Sequence, residues 1–200
     1  EYRLPTMPGH HKDWKGITMT VEQFITNVNE LKKYLVDDFN KDIMIVVSND
    51  MVSGIKERVQ KTGMLHDGTI RQYSRHGFLF RADQFLQKSA IPKSKGGGVP
   101  VEVFLKGGYE EFRRIQGLQT EHKDYNYTGD MWRNTGVLKE KTDSKFVYIG
   151  GKTPMAQNLI NKNSQRDKEP IIMPSPKEIE DRADMVGKLL SMKINDILNV

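Results

Sequence analysis

The side chains that could perform acid–base chemistry are few and scattered. The five histidines occupy positions 10, 11, 66, 76 and 122, and none has the H-E-x-x-H spacing of a metal site. His66 precedes Asp67, and His122 lies two residues before Asp124, so each offers a possible acid–base pair. Pairs of this kind arise by chance in a chain of this length, and no G-x-S-x-G motif accompanies them. The sequence therefore predicts that the protein is not an enzyme.

Composition and spacing also argue against cofactors and metals. Cysteine is absent, which excludes disulfides, zinc–thiolate sites and a thiol nucleophile and suits a reducing cytoplasm. The run Gly150-Gly151-Lys152-Thr153 resembles part of a nucleotide-binding loop. Such a loop needs a glycine five positions before Gly151, where Phe146 stands. The neighbours His10-His11 point in different directions and have no further ligand nearby in sequence. We therefore expect no cofactor and no bound metal.

The basic residues are concentrated in the middle of the chain. The net charge is +5, yet residues 52–107 alone contain ten Lys and Arg against four Asp and Glu. This segment also interleaves arginines with aromatic residues, in the order Arg71, Tyr73, Arg75, Phe78, Phe80, Arg81. Charge and stacking rings together could bind nucleic acid non-specifically, although no RNP, zinc-finger or helix-turn-helix motif is present. A non-specific nucleic-acid-binding protein is thus one interpretation, and a solvated basic surface is the other.

The elements that position these groups are organised around residues 108–137, where the aromatic cluster is densest. Tyr109, Phe112 and Ile115 are spaced three apart and share one face if the segment is helical. Gly117 can end that helix, because glycine adopts left-handed backbone angles at little cost. Thr128 can cap the short helix that follows, and Met131 and Trp132 in that helix are bulky side chains that favour burial. The residues that we predict for packing or assembly are Tyr109, Phe112, Thr128, Gly129, Met131 and Trp132.

Two helices are predicted before this stretch. Thr20 and Gln23 have capping-box spacing at the start of the first helix. Its apolar stripe is interpreted as core and consists of Val21, Phe24, Ile25, Val28, Leu31, Leu35 and Phe39. A second helix is expected over residues 41–60, and Gly63 is expected to break it.

Two more helices are predicted near the C-terminus. Thr153-Pro154 and Ser175-Pro176 each combine a cap with a proline at the first helical position. The earlier helix should bury Met155, Leu159 and Ile160 and give way to a loop over residues 161–168. The later helix should run to the C-terminus with an apolar stripe that begins at Ile179 and ends at Ile197.

The strands are predicted in two antiparallel pairs. One pair joins residues 70–80, entered through the Asp67-Gly68 turn, to residues 101–105. A flexible glycine-tipped hairpin at about residues 88–100 connects them and carries Lys88, Lys93 and Lys95. The other pair joins residues 136–141 to residues 145–149. Together these elements predict an α+β fold in which helices pack beside an antiparallel sheet.

The expected organisation is an extended N-terminal arm at residues 1–19, followed by one α+β assembly domain at residues 20–200. Apolar residues make up 36% of the chain, which allows a modest core. The longest uninterrupted apolar run is Ile43–Val47, far below the ~18 residues that a membrane span needs. No charged-then-apolar leader opens the chain. We therefore expect neither a membrane partner nor secretion.

Several motifs carry a resemblance to a known family. G-G-Y-E-E-F-R-R-I-Q-G at residues 107–117 is followed by Y-T-G-D-M-W-R-N at residues 127–134. This combination resembles the neck family of tailed bacteriophages, whose members act in tail completion, head–tail joining and virion morphogenesis. The likeness extends upstream to the E-R-V and D-G-T-I-R-Q-Y-S motifs within residues 57–74 and downstream to Y-I-G-G-K-T-P-M-A-Q-N-L-I-N-K-N-S-Q-R at residues 148–166. Family members often carry an aromatic residue before the last helix, where this chain has Ile171-Ile172-Met173.

The resemblance implies a structural virion protein, assembled in the host bacterial cytoplasm. It implies a ring of identical copies in the neck that joins the head or portal side to the tail. The implied partners are the chain itself, other neck, portal or tail proteins, and DNA in the channel. For Lys88, Lys93 and Lys95, two interpretations remain open: the hairpin tip faces the DNA channel, or it docks on a neighbouring protein.

Overall fold

The computed structural model describes residues 19–143 and 145–198, and the predicted arm at residues 1–19 lies outside them except for Met19. Within the described residues, six α-helices accompany two antiparallel sheets of two strands each. The expected α+β class, with helices beside antiparallel sheet, is therefore confirmed. The helices are α1 Val21–Asp37, α2 Ile45–Thr62, α3 Gly108–Arg114, α4 Asp130–Arg133, α5 Pro154–Asp167 and α6 Pro176–Leu198. The strands are β1 Phe78–Arg81, β2 Glu102–Leu105, β3 Thr135–Val137 and β4 Ile149–Gly151.

The caps predicted for α1, α5 and α6 are confirmed, whereas the N-cap residue of α4 is Gly129 and not the predicted Thr128. At α1, the Gln23 amide donates to the Thr20 hydroxyl and the Gln23 side chain accepts from the Thr20 amide, which completes the capping box. The hydroxyl of Thr153 accepts from the backbone of α5 in the same way. At α6, Ser175 and Glu178 form a second reciprocal box. Gly63 ends α2 with φ of 65°, the left-handed conformation expected for a glycine there.

Three helix predictions need correction. The second helix begins at Ile45, because the preceding turn, Asn40–Met44, is π-helical. The loop predicted at residues 161–168 is wrong. Helix α5 continues to Asp167, since its polar residues form the solvent face of a helix whose other face buries Ile160. Met155 and Ile179 are exposed, so each lies outside the buried face of its helix.

The apolar stripe of α1 is the largest departure from the predicted core. Leu31 and Phe39 pack with Tyr34 against α6, in a cluster that includes Ile197. The remaining stripe residues are 41–70% exposed, namely Val21, Phe24, Ile25, Val28 and Leu35. Periodicity correctly indicated one apolar face, but that face turns mostly away from the body of its own chain.

Both strand pairings are confirmed, but the strands are short, and β4 lies at residues 149–151 and not at the predicted residues 145–149. In the first sheet, Leu79 lies opposite Phe104 and Phe80 opposite Val103. The segment before β1 is irregular, and only Ile70 contributes, through an isolated bridge to Met64. In the second sheet, Gly136 lies opposite Gly150, while residues 139–141 form a 3-10 turn instead of a strand.

The hairpin tip contains two short turns. Lys88–Ala90 forms a 3-10 turn. The amide of Gly97 donates to the Ser94 carbonyl, and the amide of Ser94 donates to the Gly98 carbonyl. The glycines therefore close a compact turn, in which Gly97 has φ of 80°.

The buried side chains form three clusters. The first joins α2, α4 and α5 and includes Val59, Trp132 and Ile160. The second lies under the β1–β2 hairpin and α3, where the rings of Phe80 and Phe112 stack 4.2 Å apart. The third joins α1, α2 and α6. The first two clusters meet at residues 124–127, the stretch that the sequence singled out.

Candidate functional site

A cleft of about 350 Å3 opens where the first two clusters meet. We call it the tyrosine cleft, because Tyr73, Tyr109, Tyr125 and Tyr127 line it. Helix α5 contributes the opposite wall, including Arg166. A second depression of about 440 Å3 adjoins it and shares Tyr73, Tyr109 and Arg166.

The floor of the cleft is a buried ionic network centred on Asp124. The guanidinium of Arg113 donates to Asp124 Oδ2 at 2.9 Å, and the Tyr73 hydroxyl donates to Oδ1 at 2.6 Å. The remaining nitrogens of Arg113 donate to the carbonyls of Gln119 and Asn126. The indole of Trp132 donates to the Asp124 carbonyl at 2.8 Å. Asp124 therefore ties α3 and the irregular segment before β1 together through its carboxylate, and it ties α4 to them through its backbone carbonyl.

Burial raises the pKa of three of the cleft's tyrosines. Burial, together with the hydrogen bond to Asp124, raises the pKa of Tyr73 well above its usual range. Burial likewise raises the pKa of Tyr109 and of Tyr125. These hydroxyls stay neutral near pH 7 and do not supply a base. The guanidinium of Arg113 lies 4.5 Å from the Tyr73 ring centroid, which adds a cation–π contact.

The predicted packing residues gather at this place, although in different roles. Phe112, Met131 and Trp132 are buried, while Tyr109 is half-buried and lines the cleft. Thr128 is exposed, and its hydroxyl contacts Asp130. The residue that directly precedes α4 is Gly129, with φ of 83°. Thr128, Gly129 and Met131 also line the cleft.

Neither possible acid–base pair, His66 with Asp67 or His122 with Asp124, forms a hydrogen bond between its two side chains. Asp67 accepts hydrogen bonds from the amide and hydroxyl of Thr69. His122 is buried with its Nε2 atom 3.0 Å from the Gln60 carbonyl, and Asp124 serves Arg113 instead. Over residues 19–143 and 145–198, no group of three or more His, Asp or Glu is arranged to hold a metal ion. The same residues include no helix that is long and apolar enough to cross a membrane.

The three tip lysines are exposed, and none forms a salt bridge in the described part of the chain. Other cations of the basic segment are paired: Arg58 with Glu178, Lys61 with Glu57, Arg75 with Glu110 and Arg81 with Asp83. Salt bridges therefore neutralise part of the positive charge of residues 52–107. The lysines of the hairpin tip are among the cations that have no such partner in the described residues.

Two separate apolar surfaces are exposed. One is the α1 stripe, which we define as the outward face formed by Val21, Phe24, Ile25, Val28 and Leu35. The other is the hairpin face, which we define as the outward side of β1 and β2 formed by Leu79, Phe104, Arg81 and Glu102. Leu79 is 53% exposed and Phe104 58% exposed. Contiguous exposed apolar surface is a common feature of sites that contact another protein.

Sequence reasoning missed the Arg113–Asp124 network. The available signal was spacing, since Arg113 follows Tyr109 by four residues and therefore shares the buried face of α3. Asp124 also bonds the Asn126 amide two residues on, a turn-forming pattern that is readable in sequence. Neither signal indicates the distant partner Tyr73.

Comparisons with protein-family models, curated proteins and solved structures gave no match to this chain. The resemblance to the neck family therefore depends on the motifs quoted above.

Proposed function

We propose that this chain is a structural protein of a tailed-phage virion, which forms a ring in the neck and joins the head or portal side to the tail. The observation that carries the proposal is the pair of separate exposed apolar surfaces, the α1 stripe and the hairpin face. Two different surfaces on one chain suit head-to-tail contact between copies, which closes into a ring when the rotation per copy closes.

A buried network centred on Asp124 holds the body of the chain together. The Arg113–Asp124 pair and the Trp132–Asp124 hydrogen bond connect two buried clusters through charged and neutral hydrogen bonds. The cleft above them is lined by the half-buried side chains of Tyr109 and Tyr127 and by the more exposed side chain of Arg166. Such a lining favours contact with another protein segment, because it offers apolar area with a polar edge. Among the described residues, the cleft contains no nucleophile that is paired with a base.

Non-specific nucleic-acid binding by residues 52–107 is the second interpretation. The observation in its favour is the cluster of exposed lysines at the hairpin tip. Against it, Phe80 is buried and Tyr73 is hydrogen-bonded inside the fold, so neither ring is available to stack on bases. We therefore place DNA contact second to protein contact.

The proposal is tested by particles that lack this chain. We expect unjoined heads and tails to accumulate, and we expect purified protein to restore joining and infectivity when it is added to them. Electron microscopy counts joined particles directly. Normal particles in the absence of the chain would contradict the proposal.

A further inference from the structure

The charged side chain of Lys32 lies among the apolar residues of the α1 stripe. Lys32 follows Val28 by four residues and precedes Leu35 by three, so it lies on the same exposed face. No carboxylate in the described part of the chain forms a salt bridge with it. A lysine within an apolar helix face covers that face with its methylene stem while the ammonium seeks an anion. The stripe therefore presents apolar side chains together with one unmatched positive charge.

The hairpin face also combines apolar side chains with one unmatched charge, and that charge is negative. Leu79 and Phe104 are cross-strand partners, and next to them Arg81 is the partner of Glu102. Arg81 binds Asp83 through its guanidinium at 2.8 Å, which leaves Glu102 without a salt bridge among the described residues. The hairpin face therefore presents an apolar pair beside one unmatched negative charge.

The two surfaces belong to different parts of the fold. Helix α1 packs with α6 in the third cluster, whereas β1 and β2 cover the second. Their apolar character and their unmatched charges of opposite sign make them suitable partners between copies. We propose that the α1 stripe of one copy docks on the hairpin face of the next, with Lys32 opposite Glu102. This inference rests on the proposed ring and names the contact that closes it.

The pairing predicts a specific outcome for charge reversal. Lys32→Glu places two carboxylates opposite each other at every contact, and Glu102→Lys places two ammonium groups there. Like charges facing each other at a buried contact disfavour association strongly. We expect each variant alone to stay unassembled under conditions where the unaltered chain forms rings. Circular dichroism should show an unchanged fold, because both side chains are exposed.

A mixture of the two variants provides the decisive measurement. Each contact between the two variants then pairs either Glu at position 32 with Lys at position 102, or Lys32 with Glu102. We expect equal amounts to assemble into oligomers in which the two variants are neighbours, as measured by native mass spectrometry. The double variant in one chain should also assemble. Lys139→Glu, an exposed charge on a 3-10 turn, is the matched control and should leave assembly unchanged.

The outcomes separate this inference from the proposed function. If the unaltered chain forms rings and both single variants do so equally well, the docking pair is wrong while the ring stands. If Lys32→Glu prevents assembly and Glu102→Lys does not, the stripe contacts something other than the hairpin face, and the pairing is wrong. If the unaltered chain forms no ring, the proposed function fails first.

Discussion

Arg113 and Asp124 form an ion pair whose side chains are only 2% and 10% exposed, with nitrogen and oxygen 2.9 Å apart. All the guanidinium nitrogens of Arg113 are hydrogen-bonded, and both carboxylate oxygens of Asp124 accept hydrogen bonds. Removing one partner from such a pair leaves a buried charge without compensation, which costs far more than the intact pair contributes.

The first prediction concerns this pair. Asp124→Asn should lower the free energy of unfolding by about 3–5 kcal/mol, since it leaves the Arg113 charge buried and unmatched. Denaturant unfolding of the purified protein measures this. The control is Asp83→Asn at the exposed pair with Arg81, where we expect a change below about 1 kcal/mol. Equal effects at the two sites would contradict the assigned role of Asp124.

The second prediction concerns Trp132, which is 3% exposed and packs in the cluster of α2, α4 and α5. Trp132→Ala should cost about 3–5 kcal/mol of stability and reduce soluble, assembled protein. Thermal unfolding and the yield of assembled protein measure the effect. Leu86→Ala, at a half-exposed position, is a control with a smaller expected loss. Unchanged stability combined with lost binding of a small ligand would show that Trp132 serves a ligand site instead.

The third prediction concerns pH. Burial alone would raise the pKa of Glu178, but hydrogen bonds from Arg58 and from the Ser175 amide outweigh burial and hold that pKa below 4.5. A carboxyl with a lowered folded pKa adds stability above its unfolded pKa and loses it as pH falls through the folded pKa. Glu178→Gln should therefore be less stable than the unaltered protein at pH 7.

The difference between the two proteins should shrink below pH 4.5 as Glu178 itself becomes protonated. Melting temperatures from pH 7 down to pH 3 measure both effects. Glu57→Gln removes an exposed i,i+4 pair with Lys61 and should show little change at any pH. A stability difference at Glu178 that is independent of pH would contradict this account.

The fourth prediction concerns the hairpin tip. Replacing Lys88, Lys93 and Lys95 by Gln should leave heads and tails unjoined, because we expect the exposed lysines to dock on a neighbouring protein. Counting joined particles by electron microscopy tests this, and Lys139→Gln with Lys141→Gln is the control. Particles that join normally but retain or release DNA abnormally would place the tip at the channel. Normal assembly and infection would contradict both roles.

Local signals in the sequence were sufficient for the starts of α1, α5 and α6 and for the strand pairing. Thr20 with Gln23 and Ser175 with Glu178 satisfy their own backbone amides, so their spacing alone specifies the caps. The pairing of β1 with β2 likewise follows from alternation.

Burial could not be predicted so well, because it depends on which distant element covers a face. Phe24 belongs to a clear apolar stripe and is nevertheless 56% exposed. Arg113 shows the opposite case, because it is a charged residue and nevertheless finds Asp124 and two carbonyls in the interior. Periodicity indicates that a face differs from its surroundings, and only the tertiary partner decides whether it is buried.

The assembly state of the purified chain tests the proposed ring most directly. Sedimentation and negative-stain electron microscopy over a range of concentrations report mass and shape together. We expect closed rings with a single copy number, in which each copy contacts two neighbours through different surfaces. A protein that remains monomeric at every concentration, or forms only two-fold dimers, would contradict it.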